Sequence, residues 1–210
     1  MKGYHTCKKD GGWNHVWRNG PFISEQNGPP KRWQWLSQGF YFWTDDPFYA
    51  KKWGELSYKN NFVILECSLK LDALNILDLV GNVSDQIHFN ELIKMYEVKM
   101  NGKVDPTIST VIEHYRQQNK VEDYEGIFSY DGIKAQDGRA EEEFSFTPKS
   151  KETMLLVTRQ QLCLFEHAKN AIINKKICYP DNFAEACLAA INAEKVGEYE
   201  QLSNDGPTIG

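Results

Sequence analysis

The sequence predicts an α+β fold with short, mostly antiparallel strands, a long loop near the N-terminus and a helix near the C-terminus. Two observations support this prediction. Short stretches rich in aromatic and β-branched residues, such as 39–43 and 61–70, alternate with stretches of helical spacing, such as 84–97. In addition, 210 residues of which 41% are hydrophobic suffice for one domain with a substantial core.

The composition narrows the class of protein. A net charge of −5 disfavours sequence-independent binding of nucleic acid, which depends on many contacts from Lys and Arg to phosphates. Apolar runs such as 62–65 and 154–157 are far shorter than the roughly 18 residues that would span a bilayer. The first twelve residues lack the apolar core of a signal peptide. Five scattered cysteines without a CxxC pair are typical of reduced thiols. We therefore expect a cytoplasmic protein that has no membrane partner and no bound metal.

The elements of the first third follow from local signals. Residues 8–37 contain many Gly, Asn, Pro and Trp residues without a regular hydrophobic period, which predicts a long loop. A strand is predicted at about 39–43, followed by a helix with Asp46 as its N-cap and Pro47 at its first position. Apolar and polar residues alternate over the second half of the segment 61–70, which indicates a strand.

The remainder of the chain continues this alternation. Helical spacing after Ser84 predicts a helix over 84–97, and a second helix is expected around 107–118. Residues 124–135 are typical of one or two short strands with a turn near Asp131 and Gly132. The further predictions are a buried strand at 152–165, continuing into a short edge segment, a helix at 182–200 and a frayed tail at 201–210. These elements suggest a main domain over 1–165, a helical extension over 166–200 and a flexible tail.

One stretch contains more aromatic residues than a core requires. In GFYFWTDDPFYAKKW, residues 39–53, one turn is surrounded by five aromatic rings, those of Phe40, Tyr41, Phe42, Trp43 and Phe48. Alternate side chains of a strand point to opposite faces, so Phe40 and Phe42 can fill a core while the remaining rings face elsewhere. These remaining rings indicate a site that binds a flat ligand.

Three motifs together resemble the strand motifs of ADP-ribosyltransferases of the His-Tyr-Glu class, which includes diphtheria toxin and the poly(ADP-ribose) polymerases. They are Tyr4-His5-Thr6, the Gly39 to Phe42 segment, and Glu152 at the head of a hydrophobic run that leads to Gln-Leu. Ala50 follows Tyr41 by nine residues, as the second motif requires. The resemblance covers roughly residues 3–164.

The resemblance implies that NAD is the substrate and identifies the residues that would bind it. Nicotinamide is a flat cation that binds well between aromatic faces. Tyr41, which follows Gly39, would provide one face, and Tyr49 or Trp53 would provide the other.

The first motif would hold the other parts of the nicotinamide riboside. His5 would hydrogen-bond the ribose 2′-hydroxyl, and backbone groups near Thr6 would hold the carboxamide. Thr6 stands where the family has glycine.

The resemblance also makes Glu152 the expected catalytic residue. Cleavage of the nicotinamide–ribose bond passes through an oxocarbenium-like state that a nearby carboxylate stabilises. The alternative is the acidic cluster Glu141-Glu142-Glu143, since a Glu-x-Glu pair heads the third strand of the arginine-modifying branch. That branch also has an early Arg and a Ser-Thr-Ser strand, and this sequence has neither. The cluster is therefore interpreted as part of the loop before the catalytic strand, which meets the acceptor in this superfamily.

The function expected from the resemblance is a mono-ADP-ribosyltransferase that cleaves NAD and transfers ADP-ribose to a protein or a nucleic acid. Two alternatives remain open: an NAD glycohydrolase on the same fold, and a catalytically inactive binding module. By analogy at the level of the fold, a small transferase of this kind suits a bacterial or phage effector or toxin.

Overall fold

The computed structural model describes residues 1–24, 34–72, 74–103, 105–119 and 126–204, and the predicted tail lies largely outside this part of the chain. The fold is mixed α/β, with one seven-stranded, mostly antiparallel sheet and a C-terminal helix, which confirms the predicted class at this level. The strands are β1 (Lys2–Lys8), β2 (Phe40–Thr44), β3 (Phe62–Leu69), β4 (Ile76–Asp78), β5 (Gly132–Ser145), β6 (Thr153–Leu164) and β7 (Ile172–Tyr179). The helices are α1 (Gly12–Asn19), α2 (Phe48–Tyr58), α3 (Val83–Met100), α4 (Ile108–Gln118) and α5 (Asp181–Asn204).

The strands lie in the order β4-β5-β6-β2-β1-β3-β7, and among the described residues only β4 and β5 pair in parallel. The three strands that carry or follow the sequence motifs, β1, β2 and β6, are therefore neighbours in the middle of the sheet. β2 pairs with β6 from Phe40 opposite Leu164 to Trp43 opposite Gln161. The β1–β2 pairing is much shorter, since its register covers only Gly3 opposite Thr44 and Tyr4 opposite Trp43.

Alternation along the strands divides the core between the two faces of the sheet. One face packs against α1 and α5, in a core that includes Val16, Phe42, Leu65, Leu162 and Cys187. On the other face, α2 packs over β1 and β3, while α3 and α4 form a second core with the side of the sheet that contains β4, β5 and β6. The aromatic side chains of β2 are thus split between the two faces, as alternation predicts.

Several elements agree with the sequence, and one lies inside a predicted loop. β2, β3, α4 and α5 occur close to their expected positions. α3 begins one residue before Ser84, and Asn82 caps it by accepting from the backbone amides of Ser84 and Asp85. α1 lies within the predicted loop because Trp13, Val16 and Trp17 have helical spacing and pack into the core.

The third quarter differs most from the sequence prediction. The turn expected near Gly132 is instead the start of β5, which runs for 14 residues and forms a long hairpin with β6. The strand predicted to be buried is buried only at its C-terminal end, at Leu162, Cys163 and Leu164, while its first residues are exposed. β7 pairs with β3, so residues 172–179 belong to the sheet and not to a helical extension.

Candidate functional site

A cleft of about 570 Å³ lies beside the three central strands. Its lining includes residues from β1, the segment after α1, β2, α2 and β6, among them His5, Thr6, Phe22, Tyr41, Trp43, Trp53 and Gln161. A second cleft of about 540 Å³ lies between α2 and the β5–β6 hairpin. Trp43 and Trp53 line both clefts, so the two are adjacent and share an aromatic wall.

His5 is held by hydrogen bonds from both of its ring nitrogens. Nδ1 lies 2.9 Å from the carbonyl oxygen of Tyr41, and Nε2 lies 3.1 Å from the backbone nitrogen of Phe22. A carbonyl only accepts, so Nδ1 carries the proton and Nε2 accepts from the amide. The side chain therefore bridges β1 and β2 where their pairing ends.

This environment keeps the His5 imidazole neutral. The residue is only 7% exposed, and burial lowers its pKa to about 4. Both nitrogens are engaged by the protein, so neither is left for a ribose hydroxyl in this arrangement. The structure assigns His5 a role in joining three segments at the edge of the cleft.

Thr6 and Gly39 also have structural partners. The Thr6 hydroxyl donates to the carbonyl of Ala50 at 2.9 Å, which fastens α2 to β1. A Cβ on Gly39 would lie 2.5 Å from the carbonyl oxygen of Leu164, so no larger side chain fits there without movement. Gly39 also exchanges backbone hydrogen bonds with Ser24, which holds the segment after α1 against β2.

Tyr41 lines the first cleft, and its hydroxyl is held by two hydrogen bonds to the backbone. The hydroxyl donates to the carbonyl of Ser37 at 2.6 Å and accepts from the amide of Leu36 at 2.8 Å. Burial raises the pKa of Tyr41, so this group stays protonated. The ring orientation is therefore set by the turn at residues 36–37.

That turn is itself fastened to α4. Ser37 is buried and has a φ of 69°, a left-handed conformation that is uncommon outside glycine. Its hydroxyl donates to Glu113 at 2.5 Å, and Arg116 Nη1 donates to the same hydroxyl at 2.7 Å and to the Gln38 carbonyl at 2.9 Å. Helix α4 thus holds Tyr41 in place through a strained turn.

Tyr49 and Trp53 lie on α2 beside Trp43. The Trp43 ring centroid is 5.8 Å from that of Tyr49 and 6.2 Å from that of Trp53. Tyr49 lines only the second cleft, whereas Trp53 lines both. Of the two candidates for the second aromatic face, only Trp53 shares a cleft with Tyr41.

Trp43 and Gln161 are site residues that the sequence analysis missed. Trp43 lies two residues after Tyr41 and so faces the same side of β2, a signal that the sequence does contain. Gln161 is its partner in β6, and its side chain also lines the first cleft. That pairing depends on the register between two strands distant in sequence, so it follows only from the folded structure.

Glu141 is a carboxylate that lies against the aromatic residues of α2. It accepts from Lys52 Nζ at 2.5 Å and from the Tyr49 hydroxyl at 3.2 Å. The hydrogen bond from Lys52 and then that from Tyr49 hold the pKa of Glu141 below its usual value, so it is ionised at neutral pH. The Val157 carbonyl oxygen also lies 2.5 Å from the Tyr49 hydroxyl, which shares its one proton between this oxygen and Glu141 and so joins α2 to β6.

Arg159 brings a positive charge to the second cleft. It forms an ion pair with Asp137, and its guanidinium carbon lies 4.8 Å from the centroid of the Trp35 ring. Its Nε is buried and makes no hydrogen bond within the described part of the chain. The second cleft therefore combines aromatic surface with both signs of charge.

The structure does not bring Glu152 to either cleft. It precedes β6 at the exposed end of the hairpin, where its carboxylate accepts from the Ser150 hydroxyl. Thr153 and Gln161 are eight positions apart on β6, which corresponds to about 26 Å of strand. The expectation that His5, Tyr41 and Glu152 line one cleft is therefore wrong, whereas all three glutamates of the acidic cluster line the second cleft.

The described residues contain no group of three or more His, Cys, Asp or Glu side chains that could hold a metal ion. All five cysteines have free thiols. None of the helices, as far as the structure describes them, is long and apolar enough to cross a membrane. Comparisons of the chain with family models, curated proteins and solved structures gave no match.

Proposed function

We propose that this protein binds NAD across the two adjacent clefts and acts as a mono-ADP-ribosyltransferase. The observation that supports the proposal is the convergence of β1, β2 and β6, the strands whose sequences resemble the transferase motifs, at a cleft with aromatic walls. Clefts of about 570 and 540 Å³ each have the size of a small-molecule site. Together they offer room for the two nucleoside halves of a dinucleotide.

The aromatic wall supports binding of nicotinamide. Tyr41, Trp43 and Trp53 line the first cleft, and a cationic ring gains from contact with such faces. The Gln161 amide lies beside them and can both donate to and accept from a carboxamide. Because the Tyr41 ring is fixed by its hydroxyl, this surface is formed before the ligand arrives.

Glu141 is the proposed catalytic carboxylate, in place of Glu152. The reaction breaks the bond between C1′ of the ribose and the nicotinamide nitrogen, and the bond electrons leave with the nicotinamide. A carboxylate that is ionised at neutral pH and lies beside Tyr49 can stabilise the positive charge that develops on the ribose. An acceptor nucleophile then bonds to C1′ and loses its proton.

A catalytically inactive module that binds NAD is the second candidate. The observation that favours it is the engagement of both His5 nitrogens by Tyr41 and Phe22, which leaves no group of this side chain for the ribose. Such a protein would bind NAD without releasing nicotinamide.

The decisive experiment compares substitutions of two glutamates, Glu141 and Glu152, on the two sides of the turn in the β5–β6 hairpin. Nicotinamide release from NAD is measured for the wild type, Glu141→Gln and Glu152→Gln, alone and with cell lysate as a source of acceptor. We expect Glu141→Gln to lose about 100-fold in rate, the size of one preorganised electrostatic group. Glu152→Gln should match the wild type because its carboxylate bonds to Ser150 in the hairpin turn and lines neither cleft.

Other results of this experiment would lead to other conclusions about the function. Release by the wild type that is equally fast without an acceptor identifies a glycohydrolase. NAD binding without release, under every condition, identifies the inactive module. Absence of both binding and release contradicts the proposal.

A further inference from the structure

The outer part of the β5–β6 hairpin extends beyond the rest of the sheet. β4 pairs with β5 only as far as Lys134, and β2 pairs with β6 only as far as Gln161. Residues 140–145 and 153–158, which we call the outer ribbon, pair only with each other among the described residues. A two-stranded ribbon of this kind is marginally stable in water by itself.

The outer ribbon carries an exposed apolar face. Phe144 pairs with Met154, and Leu156 lies on the same face opposite Glu142. The exposed fractions of Phe144, Met154 and Leu156 are 53%, 47% and 43%. Soluble proteins seldom leave such a surface uncovered on a strand with a free edge, because it templates pairing with another chain.

Side chains of α2 fasten the outer ribbon to the body of the protein. Tyr49 bonds to the carbonyl of Val157, which lies on β6, and Lys52 bonds to the Glu141 side chain. The backbone edge of β5 over residues 140–145 has no strand beside it within the described chain. This edge is therefore open for an additional strand.

Charge distinguishes between the possible occupants. The β5 part of the outer ribbon contains Glu141, Glu142 and Glu143 in succession; all three are exposed, and Glu141 is paired with Lys52. This charge opposes the phosphates of nucleic acid. A second copy of the chain that paired β5 with β5 would bring the same glutamates close together, which is unfavourable. An extended polypeptide with alternating apolar and basic residues complements both the apolar face and the charge.

We propose that the outer ribbon binds an extended, basic and apolar segment of a partner protein as an additional strand along β5. The glutamates that contact this strand also line the second cleft, so the segment would run past the proposed reaction centre. That the partner is the ADP-ribose acceptor rests on the proposed function, whereas the binding itself does not.

The test uses the full chain and three fluorescent nine-residue peptides, measured by fluorescence anisotropy. The first alternates Lys and Val, the second alternates Glu and Val, and the third has proline at the centre of the first. We expect the Lys/Val peptide to bind at least 10-fold more tightly than the other two. Proline removes a ladder hydrogen bond, so the third peptide tests whether binding occurs by strand addition.

Variants locate the binding surface. The double change Phe144→Ser and Met154→Ser should weaken binding of the Lys/Val peptide at least 10-fold. The matched control, Val83→Ser and Ile87→Ser on α3, removes apolar side chains that are at least as exposed and should change nothing. Glu143→Lys should weaken the Lys/Val peptide and strengthen the Glu/Val peptide, a reversal that unfolding would not produce. Glu143 lies on the face of β5 opposite Phe144, where the peptide presents its charged side chains when its valines lie beside Phe144.

Four outcomes would overturn the inference. The first two are equal binding of the three peptides and peptide binding that is unaffected by the Phe144 and Met154 changes. The other two are a dimer in sedimentation velocity, or binding of a thymidine 20-mer, that the Phe144 and Met154 changes abolish. Nicotinamide release, measured on the same variants without peptide, reports on the proposed transferase separately. Loss of one activity with the other intact therefore shows which of the two proposals fails.

Discussion

Trp43 and Gln161 lie directly opposite each other in neighbouring strands, and both side chains line the same cleft. Their positions are 118 residues apart in the sequence. The register of β2 and β6 therefore decides which polar group lies beside the aromatic wall. A slip of one residue would replace Gln161 by Gln160 or Leu162 in that pairing and turn the neighbouring side chains to the opposite face.

The aromatic wall should contribute directly to binding of NAD. Trp53→Ala is expected to weaken NAD binding by about 1–3 kcal/mol, the range for loss of an aromatic stack on a base-like ring. Trp53→Phe should retain most of the affinity. Isothermal titration of NAD into the three proteins measures this, and equal affinity of wild type and Trp53→Ala would contradict the stacking role.

The Tyr41 hydroxyl should matter for stability more than for binding. Tyr41→Phe leaves the Leu36 amide without its acceptor and the Ser37 carbonyl without its donor, which should reduce the free energy of unfolding by about 1–3 kcal/mol. The ring face remains, so NAD affinity of the folded protein should change little. Urea denaturation and NAD titration separate the two effects. Unchanged stability would show that water replaces both hydrogen bonds.

Gly39 should be intolerant of any side chain. Gly39→Ala places a Cβ 2.5 Å from the Leu164 carbonyl oxygen and from Cys163 Sγ, so β2 and β6 must move apart. We expect a loss of about 1–3 kcal/mol in the free energy of unfolding. Gly138→Ala is the matched control, because a Cβ there meets nothing within 4 Å. Equal melting temperatures for the two variants would contradict the close approach.

His5 should make the stability of the fold depend on pH. Its pKa is about 4 in the folded protein against about 6.5 for an exposed histidine, so the unfolded chain binds more protons between these values. The contribution of neutral His5 is fully present above pH 6.5 and is lost as the pH falls towards 4, by about 3 kcal/mol in total. Urea denaturation between pH 7 and pH 4 measures this loss.

Two variants assign that pH dependence to His5. His5→Asn retains a donor to the Tyr41 carbonyl but cannot take up a proton, so its stability should vary less over this range. His114, whose pKa burial also lowers, is the control, and His114→Gln should keep most of the dependence. A pH profile in His5→Asn identical to that of the wild type would show that other groups dominate.

The sequence predicted the fold class and the central motif strands, but the carboxylate that it singled out, Glu152, lies away from both clefts. The run from Met154 to Val157 has the composition of a buried strand, yet it extends past the five-residue β2 and remains exposed. Composition cannot show which part of a long strand finds a neighbour. The buried part begins at Leu162, and the residue before it, Gln161, is the one that reaches the cleft.

His5 and Thr6 illustrate a second reason why the observed site differs from the one that the sequence predicts. The sequence places both at a position where the resembling family binds its ligand, and their chemistry suits that role. The structure gives each an internal partner instead, namely the Tyr41 carbonyl, the Phe22 amide and the Ala50 carbonyl. These partners come from segments up to 44 residues away, so they could not be predicted from local pattern.

The strand order also determines how the chain reaches its folded state. In β2, residues 40–43 pair with residues 161–164, and in the neighbouring β1, residues 2–8 pair with residues 62–68. Contacts between such distant segments require closure of large loops before they stabilise the chain, which slows folding. The cleft is therefore completed only after most of the chain has been assembled. A fragment that ends before residue 160 would contain Tyr41, Trp43 and Trp53 but would lack the residues of β6 that pair with β2.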